Sequence, residues 1–447
     1  MEKLWSEKLS TEAQLRVPSV MILPKGPNMI SLAPGLPHPT CFPMKNLAVT
    51  LQDPATEFEQ VKTVSNIDLD GNQHPNLVES CQYIASTGLS DFKEWVGQHI
   101  TEFHKPDYKD WDFLIQAGGT QSLDAIFRVL MNSNEDTILC ENLTYSCFLE
   151  TCRPLRLKVF GVDINNDGVD TEHLDQILTN WSTNDKTKNF KKPKLFYTMP
   201  TGHNPTSVTM SDSKRHSLLD ICRKHDIIII EDDPYFHLQL NEKSPPSLLK
   251  YDTDGRVIRI DSFSKMLMPG MRVSIITCNK IFHAKFKMFN ELTIHSAAAS
   301  SQLILSMIFK EWEESGFEKW LIHLQSLYKN RRDIMLNAID KFMPNGLVEF
   351  NRPNFGMFIW LTLDNKKWPK TENSKTCNWN LDLENEIFNL AIENDVAVAK
   401  GHWFMVDNET PLTAFRLSYS YAEFDQMERA IEKFSKVIQN VWDSHYK

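Results

Sequence analysis

Residues 227–235 read Ile-Ile-Ile-Ile-Glu-Asp-Asp-Pro-Tyr. Four consecutive β-branched residues without polar alternation predict a strand buried on both faces. Such strands belong to mostly parallel sheets with helices packed on either side. The acids that follow stand at the rim of that buried sheet. A carboxylate buried there requires a cationic partner. A metal ion would want further histidine or carboxylate ligands close by, and no tight cluster of them accompanies the stretch, so an organic cation is the better match.

Working outward, apolar runs of the same kind recur at Phe113–Ile115, Thr137–Cys140, Lys158–Val162, Leu195–Met199, Val257–Ile260 and Val273–Thr277. Helical patterns separate them, so the connections are crossovers. The expected fold is α/β: a large domain with a mostly parallel seven-stranded sheet between helices. In such sheets ligands bind beyond the carboxyl ends of the strands. From Ile281 to Phe342 the chain reads as long helices. Strand signals at Gly356–Leu361 and Ala414–Tyr419, with helical patterns at Leu383–Glu393 and Phe424–Val441, predict a smaller C-terminal α+β domain. Prolines and glycines from Pro18 to Pro43 rule out a long helix or a central strand and predict an extended N-terminal arm. The expected division is 1–50 for the arm and part of the small domain, 51–315 for the large domain, and 316–447 for the small domain.

Composition narrows the function. The formal net charge is −10, which disfavours nucleic acid as a partner. The lysines between Lys186 and Lys194 read as an exposed loop. The eight cysteines form no CxxC pair, and in a chain this long they read as reduced core residues rather than a disulfide frame or a metal site. Met1–Arg16 has no uninterrupted apolar segment, and Glu2, Glu7 and Glu12 argue against a mitochondrial presequence. A cytoplasmic protein without a membrane span is expected.

The strand ends carry the chemistry. Ala117-Gly118-Gly119-Thr120-Gln121 precedes a helical pattern. Two glycines there let the backbone approach an anion at the helix N-terminus; the plain alternative is a glycine turn with a threonine cap. Tyr145, after the second run, is either a stacking ring or core. Asn204 stands before Pro205, which holds it extended with its amide projecting, or simply marks a turn. Asp261-Ser262-Phe263-Ser264-Lys265, followed by Arg272, offers hydroxyls, an amine and a guanidinium; alone it could be a polar loop. Phosphate cradle, stacking ring, amide, carboxylate (Asp232) and lysine on successive strands together match one cofactor, pyridoxal 5'-phosphate. A carboxylate pairs with its ring nitrogen, an amide and a tyrosine bond its phenolic oxygen, and a lysine forms the Schiff base.

At these motifs the chain resembles the fold-type I, pyridoxal-phosphate-dependent aminotransferases of class I/II. It is most similar to the kynurenine/2-aminoadipate and fungal aromatic aminotransferases. The resemblance runs from Ser31-Leu32-Ala33-Pro34-Gly35-Leu36-Pro37 to Phe415-Arg416-Leu417-Ser418. It implies Lys265 as the Schiff-base lysine, Asp232 on the pyridine nitrogen, and Asn204 and Tyr235 on the ring hydroxyl. It implies Tyr145 stacked on the ring, and Gly119, Thr120, Ser262, Ser264 and Arg272 around the phosphate. Tyr83 would reach the phosphate of a second subunit, making the active unit a homodimer. Arg416 would take the substrate α-carboxylate, and Gly35 would lie on the arm that closes over the substrate. The chain departs from the family pattern at Ser207, Leu143 and Gly119-Thr120, none of which removes a catalytic group. The implied activity moves the amino group of an aromatic, kynurenine or 2-aminoadipate-type L-amino acid to 2-oxoglutarate, so the partners are small amino acids and 2-oxo acids. The alternative is a β-lyase acting on cysteine conjugates with the same cofactor. A regulator built on this fold would need an added DNA-binding domain, and the stretch before Gly35 offers neither the length nor a basic recognition helix.

Overall fold

The computed structural model describes residues 5–18, 36–65, 75–364, 367–368, 379–407 and 412–445. Its centre is a seven-stranded sheet of β1 (Trp111–Gln116), β2 (Thr137–Glu141), β3 (Lys158–Val162), β4 (Leu195–Thr198), β5 (Ile228–Asp232), β6 (Val257–Ser262) and β7 (Ser274–Asn279), in the order β1-β7-β6-β5-β4-β2-β3. The pairs β6/β5, β5/β4, β4/β2 and β2/β3 are parallel, and β7 runs antiparallel to both β6 and β1.

Alternation within β5 explains why isoleucine fills it. Ile228 and Ile230 join one buried core, with Tyr197, Ile258 and Ile260. Ile227 and Ile229 join a separate core on the other face, with Leu139, Phe196 and Val257. Both faces are dry, so successive residues must all be apolar until the strand reaches its end. The helices that cover them include α1 (Ser90–Phe103), α2 (Gly119–Leu130), α3 (Ser146–Cys152), α4 (Asp212–His225) and α5 (Lys280–Leu292).

The antiparallel β7 has a local consequence. Its first residue, Ser274, pairs with Gln116 at the end of β1 on one side and with Ser262 at the end of β6 on the other. The chain segments that leave β1 and β6 therefore start two strands apart along one sheet edge. The Ser122 and Ser274 hydroxyls, 2.9 Å apart, tie α2 to that edge.

Helix α6 (Ala299–Phe342) follows, broken at Glu313, where φ is 51° and ψ −171°. Its second half packs Met335, Leu336 and Ile339 onto a four-stranded antiparallel sheet. The strands are β8 (Val348–Phe350), β9 (Phe358–Leu363), β10 (Ala399–Lys400) and β11 (Ala414–Ser418), in the order β8-β9-β11-β10. Helices α7 (Trp379–Glu393) and α8 (Phe424–His445) complete this second core. Near the start of the chain, Trp5 and Leu9 are buried; Trp5 stands edge-on to Phe282 of α5, and the Ser10 N–H donates to the Val129 carbonyl at 2.8 Å. Of the lysine-rich loop, Lys188, Lys191 and Lys194 are each paired with an acid, so they do not form a free basic patch. No helix among the described residues is long and apolar enough to cross a membrane.

Candidate active site

The three acids that end β5 have different fates. Arg259, fully buried in the middle of β6, lies in register with Glu231. Its guanidinium meets Glu231 at 3.1 Å, Asp233 at 3.0 Å and Asp261 at 2.7 Å. Glu231 also accepts from the Ser247 hydroxyl at 2.6 Å and the Leu248 N–H at 3.0 Å. Glu231 and Asp233 are thereby committed to structure. Asp232 points the other way along the pleat. It is 6% exposed, and among the described residues it has no cationic partner; its Oδ2 accepts from the Tyr197 hydroxyl at 2.8 Å. Burial pushes its carboxyl up to about 7, opposed by the Tyr197 hydrogen bond.

Tyr145 and Tyr235 lie beside it, and through them Arg416 and Lys265 join the same group. Burial raises the pKa of the Tyr145 phenol, and Cys147, Asp232 and Tyr235 beside it raise it further. Tyr235 is 3% exposed and stands edge-on to Phe358, its ring centroid 5.9 Å away. Arg416, on β11, donates from Nη1 to Asn204 Oδ1 at 2.7 Å. Its guanidinium is clasped between the rings of Phe358 and Phe404, at 4.1 and 4.7 Å from their centroids. Such a clasp fixes a planar cation while leaving donors at its edge for a carboxylate. The Asn204–Pro205 peptide bond is cis. Lys265 is half-buried; burial lowers its pKa, and the charges of Arg416 and Arg272 lower it further. Among the described residues no carboxylate pairs with it.

The anion cradle is assembled from the segments that leave β1 and β6. Gly118 has φ 96° and ψ 157°, a conformation essentially reserved for glycine. A Cβ there would lie 2.2 Å from Arg272 Nη2, so the absence of a side chain is what admits the guanidinium. No side chain caps α2, which leaves its first N–H groups and dipole for an anion. A Cβ on Gly119 would meet nothing within 4 Å, and Thr120 is exposed on the same turn. Ser262 ends β6 and its Oγ accepts from the Ser264 N–H at 3.2 Å. Arg272 adopts the left-handed conformation, with φ 53°.

Two of the singled-out residues stand apart. Tyr83 is 64% exposed, with its ring 5.0 Å from that of His295; none of the contacts above reaches it. Gly35 lies outside the described residues. Four residues that sequence reasoning passed over belong here: Tyr197, Arg259, Phe358 and Phe404. Tyr197 reads as one more apolar position of β4. Its signal is a hydroxyl near the carboxyl end of the strand adjoining Asp232. Arg259 has a plainer signal, a lone charge inside Val-Ile-Arg-Ile.

These donors fit pyridoxal phosphate on structural grounds. A buried carboxylate lacking a cation suits a ring N–H, an uncapped helix start beside Arg272 suits a phosphate, and a lysine of lowered pKa suits the aldehyde carbon. The class I and II aminotransferase family profile matches residues 72–434. The chain belongs to that family of pyridoxal-phosphate-dependent transaminases. It is 32% identical to an aromatic amino acid aminotransferase of Schizosaccharomyces pombe, over 92% of this chain and 91% of that one. It is also 32% identical to the mitochondrial kynurenine/alpha-aminoadipate aminotransferase of Mus musculus, over 97% and 99% of the two chains. Among solved structures, the aminotransferase Aro8 of Candida albicans superposes with a TM-score of 0.89 at 28% identity, covering 98% of each chain.

Proposed function

We propose that the chain works as a homodimer that moves the amino group of an aromatic, kynurenine or 2-aminoadipate-type L-amino acid to 2-oxoglutarate. The observation that carries this is Asp232, a buried carboxylate that among the described residues meets a tyrosine hydroxyl and pairs with no cation, on the same sheet edge as Lys265 and the uncapped α2. Pyridoxal phosphate, when bound, supplies an electron sink for the pair left behind as the substrate α-proton departs. Gly119, Thr120, Ser262, Ser264 and Arg272 would hold its phosphate. Asp232 would keep a proton on its ring nitrogen, Asn204 and Tyr235 would bond its ring oxygen, and Tyr145 would cover its face. Arg416, held by Asn204, orients the substrate through its α-carboxylate. The Lys265 Nζ has its proton affinity lowered by burial and two arginines, so it is poised to take the α-proton and return it elsewhere.

The relatives' names support a substrate of the aromatic, kynurenine or 2-aminoadipate type. The exposed Tyr83, with Leu292 also exposed near its neighbour His295, is the surface we assign to the second subunit. We keep the domain boundary within α6, where Phe317, Leu321 and Leu324 pack with the large sheet and Met335, Leu336 and Ile339 with the small one. The test is a panel of kynurenine, 2-aminoadipate, Phe, Tyr, Trp, Met and Leu, each with 2-oxoglutarate, followed by glutamate formation. Turnover led by the first five is expected; no glutamate from any of them, or pyruvate release from cysteine conjugates without an oxo acid at a higher rate, would overturn the assignment.

A further inference from the structure

Tyr197 is the one group within the described residues that hydrogen-bonds the Asp232 carboxylate. Its ring is fully buried and is fixed from several sides. It stacks on Phe148 with centroids 4.1 Å apart and planes 15° from parallel, and Phe148 in turn stands edge-on to Phe127 of α2. Its backbone is pinned in the middle of the sheet, in register with Ile230 of β5 and Cys140 of β2. The hydroxyl therefore has little freedom to leave Oδ2. Burial and the neighbouring Asp232 both raise the phenol's pKa, so it stays protonated and serves as donor. The groups facing Asp232 are Tyr197 from β4, Asp233 on its own strand, Arg259 and Asp261 from β6, and the Tyr145 and Tyr235 phenols. Arg259 is occupied by Glu231, Asp233 and Asp261, which leaves the tyrosine as the bond that stabilises Asp232 as an anion.

We propose that Tyr197 is a positioning residue: its hydroxyl occupies Oδ2, turns Oδ1 toward the cofactor ring, and keeps the Asp232 proton on the ring nitrogen rather than on the carboxylate. This rests on the assignment of Asp232 to the cofactor nitrogen. Without the hydroxyl, a buried carboxylate becomes a stronger base and competes for that proton.

The test is Tyr197→Phe, which keeps the ring stacked on Phe148 and removes only the donor. Expected are a cofactor dissociation constant raised roughly 10- to 100-fold, the effect of losing a hydrogen bond to a charged group, and a kcat lowered by a similar factor with little change in KM. The pH midpoint of the bound cofactor's visible absorbance should move upward. Phe148→Leu, which loosens the ring but spares the hydroxyl, should move that midpoint in the same direction by much less. Installing 3-fluorotyrosine at position 197, a stronger donor of nearly the same shape, should move it downward even if the phenylalanine variant does not fold. A Tyr197→Phe protein with wild-type midpoint and affinity overturns the proposal, as does a Phe148→Leu protein that shifts as far. A wild-type chain that takes up no cofactor would instead refute the underlying assignment of Asp232, and the proposal with it.

Discussion

Gly118→Ala separates the cradle from the rest of the fold. The added methyl meets two obstacles. The backbone at φ 96° and ψ 157° costs a non-glycine residue about 1–3 kcal/mol. The Cβ would also sit 2.2 Å from Arg272 Nη2 and 2.8 Å from its Cζ, so the guanidinium must move. Backbone strain is present with or without cofactor and lowers stability in both states. Displacement of Arg272 is felt only when a phosphate is to be bound, where a charge-assisted hydrogen bond contributes about 1.5–3 kcal/mol. At a factor of ten per 1.4 kcal/mol, pyridoxal phosphate should bind roughly 10- to 150-fold more weakly. Urea midpoints of the apoprotein measure the first effect, and equilibrium titration of pyridoxal phosphate into apoprotein measures the second. Gly119→Ala is the control for stability: its Cβ meets nothing, and alanine suits a first helical turn. A Gly118→Ala protein that binds the cofactor as tightly as wild type would refute the placement of Arg272 in the cradle.

Arg416→Ala should cut kcat/KM for amino acids roughly 100- to 1,000-fold, the cost of removing one partner of a desolvated ion pair; steady-state kinetics with any accepted donor reads it, and a change under threefold would contradict the carboxylate role. Arg259→Leu leaves Glu231, Asp233 and Asp261 buried without their shared cation, and should destabilise by about 3–5 kcal/mol or more, seen as a collapsed urea midpoint even when cofactor is added. Asp232 should also shape the pH dependence of the apoprotein. Its folded pKa, pushed up to about 7, lies above that of an unfolded carboxyl. Its stabilising contribution is thus complete at acid pH and is lost as pH rises through about 7. Apoprotein Asp232→Asn should lack this decline, so its urea midpoint should gain on wild type between acid and neutral pH; parallel profiles would contradict the burial of an uncompensated carboxylate.

The large sheet is legible because its strands are dry on both faces, which forces uninterrupted runs such as Ile227–Ile230. Its direction is not: Val273–Thr277 has the same composition as its neighbours, yet β7 is antiparallel, since side-chain burial carries no record of chain polarity. The glycines before α2 are recognisable as an anion site, but the reason Gly118 must be glycine lies in Arg272, 154 residues away in sequence and in touch only through the fold. Likewise Glu231-Asp232-Asp233 announces carboxylates without saying which one is free. That is settled by Arg259, whose register on β6 places it against Glu231 and Asp233 and not Asp232. The clasp of Phe358 and Phe404 on Arg416 joins three separated segments, and nothing local in the sequence marks it.

The claim on which the account depends is that Lys265 carries the cofactor. Borohydride reduction of the pyridoxal-phosphate-loaded protein, proteolysis and mass spectrometry locate the modified lysine directly. The account predicts a phosphopyridoxyl group on Lys265, stoichiometric with protein and absent from Lys265→Ala. Label on a different lysine, or a loaded protein that yields no modified peptide, would contradict it.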